Sequence, residues 1–237
     1  ESNKLIDKFG RQVTYVRMSV TDRCDFRCVY CMDEEMTFVP RTQVLTLEEM
    51  ELIASVFVEL GVRKIRLTGG EPLIRRNVMR LCDALGAMPG LDELVITTNG
   101  SQLDKYGVGL RSAGIKRINV SLDTLDSERF KELTRVGDLK KVLKGIEAAR
   151  QAGFEKIKLN TVILKGRNED EVIDLVSFAV EKGLDISFIE EMPLGSITSH
   201  KRSETFCSSD ELKSIISTRW KMIPAPVSKK SAGPSNY

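Results

Sequence analysis

The reading turns on residues 12–32, Gln12-Val13-Thr14-Tyr15-Val16-Arg17-Met18-Ser19-Val20-Thr21-Asp22-Arg23-Cys24-Asp25-Phe26-Arg27-Cys28-Val29-Tyr30-Cys31-Met32. Its first part alternates, with Val13, Tyr15 (or Val16), Met18 and Val20 set among polar positions, and this period predicts a strand over 12–20. Arg17 is the polar residue of that strand and points toward whatever the following loop faces. The loop carries Cys24, Cys28 and Cys31 at C-x3-C-x2-C spacing, close enough for one tight turn to wrap three thiolates around a single inorganic centre. A four-iron cluster takes a ligand on each iron, normally four cysteines. Three leave one iron open, and an open position separates a catalytic metal centre from a closed structural one. A structural zinc would need a fourth Cys or His nearby. The one histidine, His200, and the other two cysteines, Cys82 and Cys207, lie in unrelated segments. Five cysteines without a secretory signal point to a reducing, cytoplasmic setting rather than to disulfides.

Working outward, the strand-then-helix alternation repeats. Thr46-Leu47-Glu48-Glu49 reads as a capping box that opens a helix to residue 60, closed by Gly61. Strands are predicted over 64–68, 93–97, 117–121, 156–164 and 184–189. Helices fall at about 75–85, 103–112 and 127–152, the last interrupted near Gly137, and Asn168 to Glu171 reads as the cap of another ending at Gly183. Six such units imply a parallel sheet with helices outside. A closed (β/α)8 barrel needs eight units and about 250 residues. Six would leave an open, curved sheet. A doubly wound sheet also fits the alternation, although its Gly-rich turn after the first strand is absent. After Glu191-Met192-Pro193 the pattern loosens into a polar loop and a capped helix over 208–216. A Pro-, Ser-, Lys- and Gly-rich tail follows from Pro224. The expected organisation is one domain over 1–222 and a linker, or the start of a further region, over 223–237.

The chain has 237 residues, 41% of them hydrophobic, enough for a full single-domain core. Its 36 basic and 34 acidic residues leave a formal charge of +2. No global field argues for nucleic acid, and no apolar run approaches a membrane span. An anionic ligand would have to be held by local cations.

In parallel barrels the active site lies at the carboxyl ends of the strands. Unusual residues recur there: the cysteine loop, Thr68-Gly69-Gly70-Glu71-Pro72, Thr97-Thr98-Asn99-Gly100, Ser121-Leu122-Asp123 and Glu190-Glu191-Met192-Pro193. Gly69-Gly70 lets backbone approach a neighbour closely, because glycine has no Cβ. Arg17 and Arg66 lie on neighbouring strands and Lys158 on the fifth, and guanidinium and ammonium groups are what phosphate oxygens require. A lone Arg in a strand is more often simply solvated. Cys82 reads as a buried small hydrophobe, Cys207 and His200 as loop surface, Trp220 as packing, and Lys140, Lys141 and Lys144 as a wet helix face.

The cysteine spacing, with Tyr30 before the last cysteine, resembles the cluster-binding signature of the radical S-adenosylmethionine (SAM) superfamily. The longer string VTDRCDFRCVYCM, with TGGEPL and TTNG downstream, is similar to the GTP 3′,8-cyclases within it, over residues 9 to 220. The resemblance implies a partial (β/α)6 TIM-like barrel with parallel strands, open on one side. It implies an enzyme with a [4Fe-4S] cluster on Cys24, Cys28 and Cys31, and SAM contacts at Tyr30, Gly70, Ser121 and Met192. GTP contacts fall at Arg17, Arg66, Thr97 and Lys158, with Arg17 the catalytic candidate. The implied reaction cyclises GTP in the first step of molybdenum cofactor biosynthesis, with an electron donor and a downstream molybdenum cofactor enzyme as partners and a homodimer left open. Other radical SAM substrates, or a noncatalytic iron–sulfur or zinc module, are the alternatives. Two departures are visible. Many relatives have Arg where this chain has Ser187. The family also continues into a carboxyl-terminal region with a second [4Fe-4S] cluster, so this chain, which starts without Met and stops at Tyr237, is expected to cyclise GTP poorly by itself.

Overall fold

Six strands lie side by side in chain order in one parallel sheet: β1 (Tyr15–Ser19), β2 (Lys64–Thr68), β3 (Glu93–Thr98), β4 (Arg117–Ser121), β5 (Lys156–Ile163) and β6 (Asp185–Glu190). The computed structural model describes residues 4–32, 36–192 and 200–224. A doubly wound sheet reverses its strand order at a switch point. Here the order never reverses, and β1 and β6 stay at opposite edges. The architecture is therefore the partial, open barrel, six units short of closure by two.

The helices α1 (Leu47–Glu59), α2 (Val78–Gly86), α3 (Leu103–Ser112), α4 (Ser127–Thr134), α5 (Leu139–Gln151) and α6 (Val172–Lys182) connect successive strands. Each presents an apolar stripe to one face of the sheet. Ile65, Leu67, Leu94, Ile96, Ile118, Val120, Ile157 and Leu159 fill that face and are buried against Val58, Leu81, Leu85, Leu110, Val142, Ile146 and Ala149. Burying each large side chain contributes about 1.5–3 kcal/mol. This core fixes the register, because a one-residue slip would turn every polar residue of the other face inward.

The predicted capping box forms, and the capped helix expected from Ser208 starts with a second one. Thr46 and Glu49 close the start of α1, and Ser208 with Glu211 closes that of α8 (Ser209–Ser217), which follows the short α7 (Arg202–Thr205). Three boundaries differ from expectation. β1 starts at Tyr15 because residues 5–13 fold on themselves, with Ile6 bridging Gln12 and Val13 N donating to Leu5 O. α2 starts at Val78 because Asn77 sits in the left-handed region at φ 61°. Asn168 caps no helix. Its Oδ1 accepts from Leu164 N and its Nδ2 donates to the Asp123 and Val162 carbonyls, so it ties the ends of β4 and β5 together.

Within residues 200–207 some side chains are less exposed than the polar sequence suggests. Leu164 bridges Phe206, which pulls Cys207 (1% exposed) into a small core with Ile163, Val172, Leu175 and Leu212. His200, expected at the surface, is buried with its Nε2 2.6 Å from Glu191 Oε1, while Thr205 Oγ1 donates to the other oxygen. The reading of 223–237 as a linker falls largely outside the described residues. Among those described, no helix is long and apolar enough to cross a membrane.

Candidate active site

The cysteine loop leaves β1 and is fixed at once to the end of β2. Gly70 N donates to Thr21 O and Glu71 N to Arg23 O, both at 2.8 Å. Gly69, at φ 144°, and Gly70 face this backbone so closely that a Cβ on Gly70 would lie 2.1 Å from Arg23 O. The glycine pair thus serves close approach to the cysteine loop itself. Gly70→Ala must push two backbones apart and is expected to lose about 2–3 kcal/mol of stability, measured by urea unfolding. Unchanged stability would show that the contact is soft.

The far side of the loop rests on the carboxyl end of α4. Arg27 N and Val29 N donate to the Thr134 and Leu133 carbonyls at 2.9 Å, and Arg135 Nη1 reaches the carbonyls of Arg27 and Met32. Phe26 meets Phe130 edge to face at 5.7 Å. A turn closes the motif, with Cys31 N and Met32 N both donating to Cys28 O.

Buried polar side chains join the remaining strand ends. Glu71 is fully buried and accepts from Leu73 N (3.0 Å), Thr98 Oγ1 (2.7 Å) and Asn99 N (2.6 Å), which locks β2 to β3. Asp25 accepts from Asn99 Nδ2 and Ser101 Oγ, both at 2.6 Å. Tyr30 Oη donates to Asp123 Oδ2 at 2.6 Å, and Asp123 Oδ1 accepts from Val162 N. The Tyr30 hydroxyl is therefore engaged by the end of β4. Ser121 ends β4 half-buried, and Met192 follows β6 at 55% exposure.

Burial raises all three thiols, although their neighbouring charges differ. Burial pushes Cys28 well above the usual thiol range, with Asp123, Cys31 and Cys24 adding to the rise. Burial likewise takes Cys24 up to about 11 and raises Cys31. Thiolates here need a compensating positive centre. Iron supplies that charge and prefers soft sulfur donors. Among the described residues no three Cys, His, Asp or Glu side chains converge on a single-ion position. A cluster instead takes separate thiolates on separate irons, and this donor set fits one.

Below this rim the concave face is polar. The pairings Arg17 with Arg66, Thr97 with Asn119, and Asn119 with Lys158 put those residues on the same side. At the amino ends of the strands three cations meet two carboxylates, Lys64–Glu93 (2.6 Å), Arg117–Glu93 (3.0 Å) and Lys156–Asp185 (2.8 Å), so most of the charge there is paired. Arg66 donates to Tyr15 Oη and Thr97 Oγ1. Among the described residues the side chains of Arg17 and Lys158 make no hydrogen bond or ion pair. Lys158 lines a small cavity with Arg66, Arg117, Asn119, Lys156 and Asp185. Burial lowers its ammonium from the usual range, Asp185 opposes that, and Lys156, Arg117 and Arg66 add to the lowering. Such a group gains from an anion. Ser187 pairs in register with Asn160, so this position offers a hydroxyl rather than a cation.

Comparison with known proteins fits this geometry. Residues 18–179 match the model of the radical SAM superfamily. GTP 3′,8-cyclase of Ectopseudomonas mendocina (strain ymp) is 58% identical over 236 residues, all of this chain and 71% of that protein. GTP 3′,8-cyclase 2 of Pseudomonas aeruginosa is 57% identical over 99% of this chain and 70% of its own length. This chain belongs to the GTP 3′,8-cyclase family. Solved structures reproduce the fold of this family member at lower identity. Streptococcus suis SuiB bound to S-adenosylmethionine has a TM-score of 0.68 at 23% identity, over 80% of this chain and 43% of that one. Escherichia coli coproporphyrinogen III oxidase (HemN), a radical SAM enzyme, has a TM-score of 0.62 at 20% identity, over 87% of this chain and 51% of that one. This chain thus spans about half of each of those two chains or less.

In this cyclase-family chain the sequence reading missed the residues that hold the site together: Asp25, Glu71, Asn99, Asp123 and Arg135. The first four sit inside motifs already singled out, and for Glu71, Asn99 and Asp123 the polar side chain directly before Pro72, Gly100 and Thr124 was the available signal. Arg135 had none, since a basic residue at the end of a helix is common.

Proposed function

We propose that this chain holds a [4Fe-4S] cluster on Cys24, Cys28 and Cys31, binds SAM across the rim with Tyr30, Gly70, Ser121 and Met192, and cyclises GTP held by Arg17, Arg66, Thr97 and Lys158. The observation that carries the reading is a three-thiol loop at the carboxyl ends of the strands above a concave wall where, among the described residues, the Arg17 and Lys158 side chains make no ion pair. When bound, the cluster and SAM would supply one-electron chemistry that takes a hydrogen from the ribose C3′; C3′ would then bond to C8 as the C8–N7 double bond opens, and one electron and one proton delivered to N7 would leave a product isomeric with GTP.

The chain's own residues bind and orient. Arg17 and Lys158 offer donors to phosphate oxygens, and Arg66, already fixed by Tyr15 and Thr97, adds a fork whose direction is set before any ligand arrives. Arg17, in the strand that feeds the cysteine loop, is the catalytic candidate among these phosphate-facing residues. Asp123 holds the Tyr30 hydroxyl, so Tyr30 meets a ligand through its ring. An external one-electron donor and a downstream molybdenum cofactor enzyme that takes the product complete the reading, and the second [4Fe-4S] cluster is assigned to the family's carboxyl-terminal region.

Mass spectrometry of products from anaerobically reconstituted, reduced full-length protein with SAM and GTP tests this. A cyclised nucleotide with the mass of GTP is expected, and SAM cleavage indifferent to GTP would refute the substrate assignment. Arg17→Ala and Lys158→Ala should each weaken GTP binding about 10- to 100-fold by calorimetry, the worth of a hydrogen bond to a charged group. Unaltered affinity in both would remove the phosphate role.

A further inference from the structure

Asn99 lies where three motif segments meet. Its backbone N–H donates to Glu71 Oε2 at 2.6 Å, and its side-chain Oδ1 accepts from Ser101 N at 2.9 Å. The second bond identifies the amide oxygen, because an NH2 group cannot accept from an N–H. Nδ2 is therefore aimed at two acceptors at once, Asp25 Oδ1 at 2.6 Å and Cys24 Sγ at 3.8 Å.

These two acceptors are poor neighbours. Asp25 Oδ1 is 3.9 Å from Cys24 Sγ, and Ser101 Oγ holds its other oxygen in place at 2.6 Å. A carboxylate this close to a sulfur ligand disfavours adding an electron to whatever that sulfur binds. The Asn99 amide directs one hydrogen to each partner, and Phe26 N approaches the same sulfur at 3.4 Å. Hydrogen bonds to the sulfurs and nearby charge are what set a cluster's reduction potential.

We infer that Asn99 is a positioning residue that shields the Cys24 sulfur from the Asp25 carboxylate and thereby raises the reduction potential of the cluster. This rests on the reading of Cys24 as a ligand. Asp25 is then more than a liability: it orients the amide that serves the sulfur, and it leaves Cys24 with an environment that the structure does not repeat at Cys31, which is exposed.

The test is a redox titration, followed by electron paramagnetic resonance, of the anaerobically reconstituted full chain without SAM. Asp25→Asn removes the charge while its amide oxygen can still accept from Asn99 and the Ser101 hydroxyl can turn to accept. It should keep the cluster and move the midpoint potential upward. Asn99→Ala should move it downward, and the double variant should return toward the wild-type value because the charge to be shielded is gone. A purely structural role would not give opposite signs. Equal potentials in wild type and both single variants, or shifts of the same sign, would overturn the inference. If Asn99→Ala fails to fold, Asp25→Asn decides alone, and no rise overturns it. Wild-type protein that holds no cluster would fail the ligand reading itself, whereas a cluster whose potential ignores both variants fails only this inference.

Discussion

Replacing Cys28 with alanine is expected to take iron after anaerobic reconstitution from about four atoms per chain to background, and to abolish reductive cleavage of SAM. Cys28 sits in the middle of the loop, its carbonyl closes the turn, and its thiol is the one most affected by both other cysteines. Cys82→Ala and Cys207→Ala are the controls. Cys82 is buried in α2 and Cys207 in the small core beneath α8, each surrounded by aliphatic side chains, so their loss should leave iron content untouched. A brown Cys28→Ala protein with four irons would show that the ligands lie elsewhere. Iron analysis and visible absorption settle the point without an activity assay.

Glu71→Ala should be the most destabilising single change at the rim. It strands three donors, Leu73 N, Thr98 Oγ1 and Asn99 N, in a fully buried site, and the loss expected is about 3–5 kcal/mol. Glu71→Gln keeps one accepting oxygen but turns an NH2 toward one of those donors, for an intermediate loss of about 1–3 kcal/mol. The site also predicts a pH dependence. Burial carries the Glu71 carboxyl up to about 7, against the pull of its three donors. An unfolded glutamate titrates near 4.3, so between these values the folded chain holds the extra proton and stability falls as pH rises. The fall from this one group is about 3 kcal/mol between the two titration points. Asp123, raised to about 6 by burial, adds a slope of the same sign. Urea unfolding at pH 4.5 and 7.5 should show wild type weaker at the higher pH and Glu71→Gln with a shallower dependence. Equal slopes would mean that Glu71 is ionised throughout.

The alternation of β-branched strands with capped helices made the parallel sheet readable, because both signals are local: Thr46 with Glu49 and Ser208 with Glu211 declare their helices within four residues. The barrel's openness was readable from the number of units, and the choice against a doubly wound sheet needed the strand order. Site residues at strand ends were readable because motif and position coincide in this architecture. What escaped was long-range pairing. Nothing near Glu71 announces Thr98 as its partner, and nothing near Asp25 announces Ser101. Asn168 looked like a cap because Asn and a following Glu favour helix starts, yet its side chain was recruited by β4 and β5 instead. His200 and Cys207 looked superficial because their neighbours are polar, yet the Leu164–Phe206 bridge draws Cys207 inward and Glu191 takes the His200 ring.

The largely paired charges at the amino ends of the strands have one more effect. Lys64, Arg117 and Lys156 share Glu93 and Asp185 and keep one net positive charge, while Arg17 and Arg66 lie two residues, about 7 Å, short of the other ends of their strands, on the same wall as Lys158. Attraction for a polyanion therefore peaks midway down the wall instead of at the floor. A nucleotide drawn in tail first would halt there, its sugar left level with the mouth where the sulfurs hang.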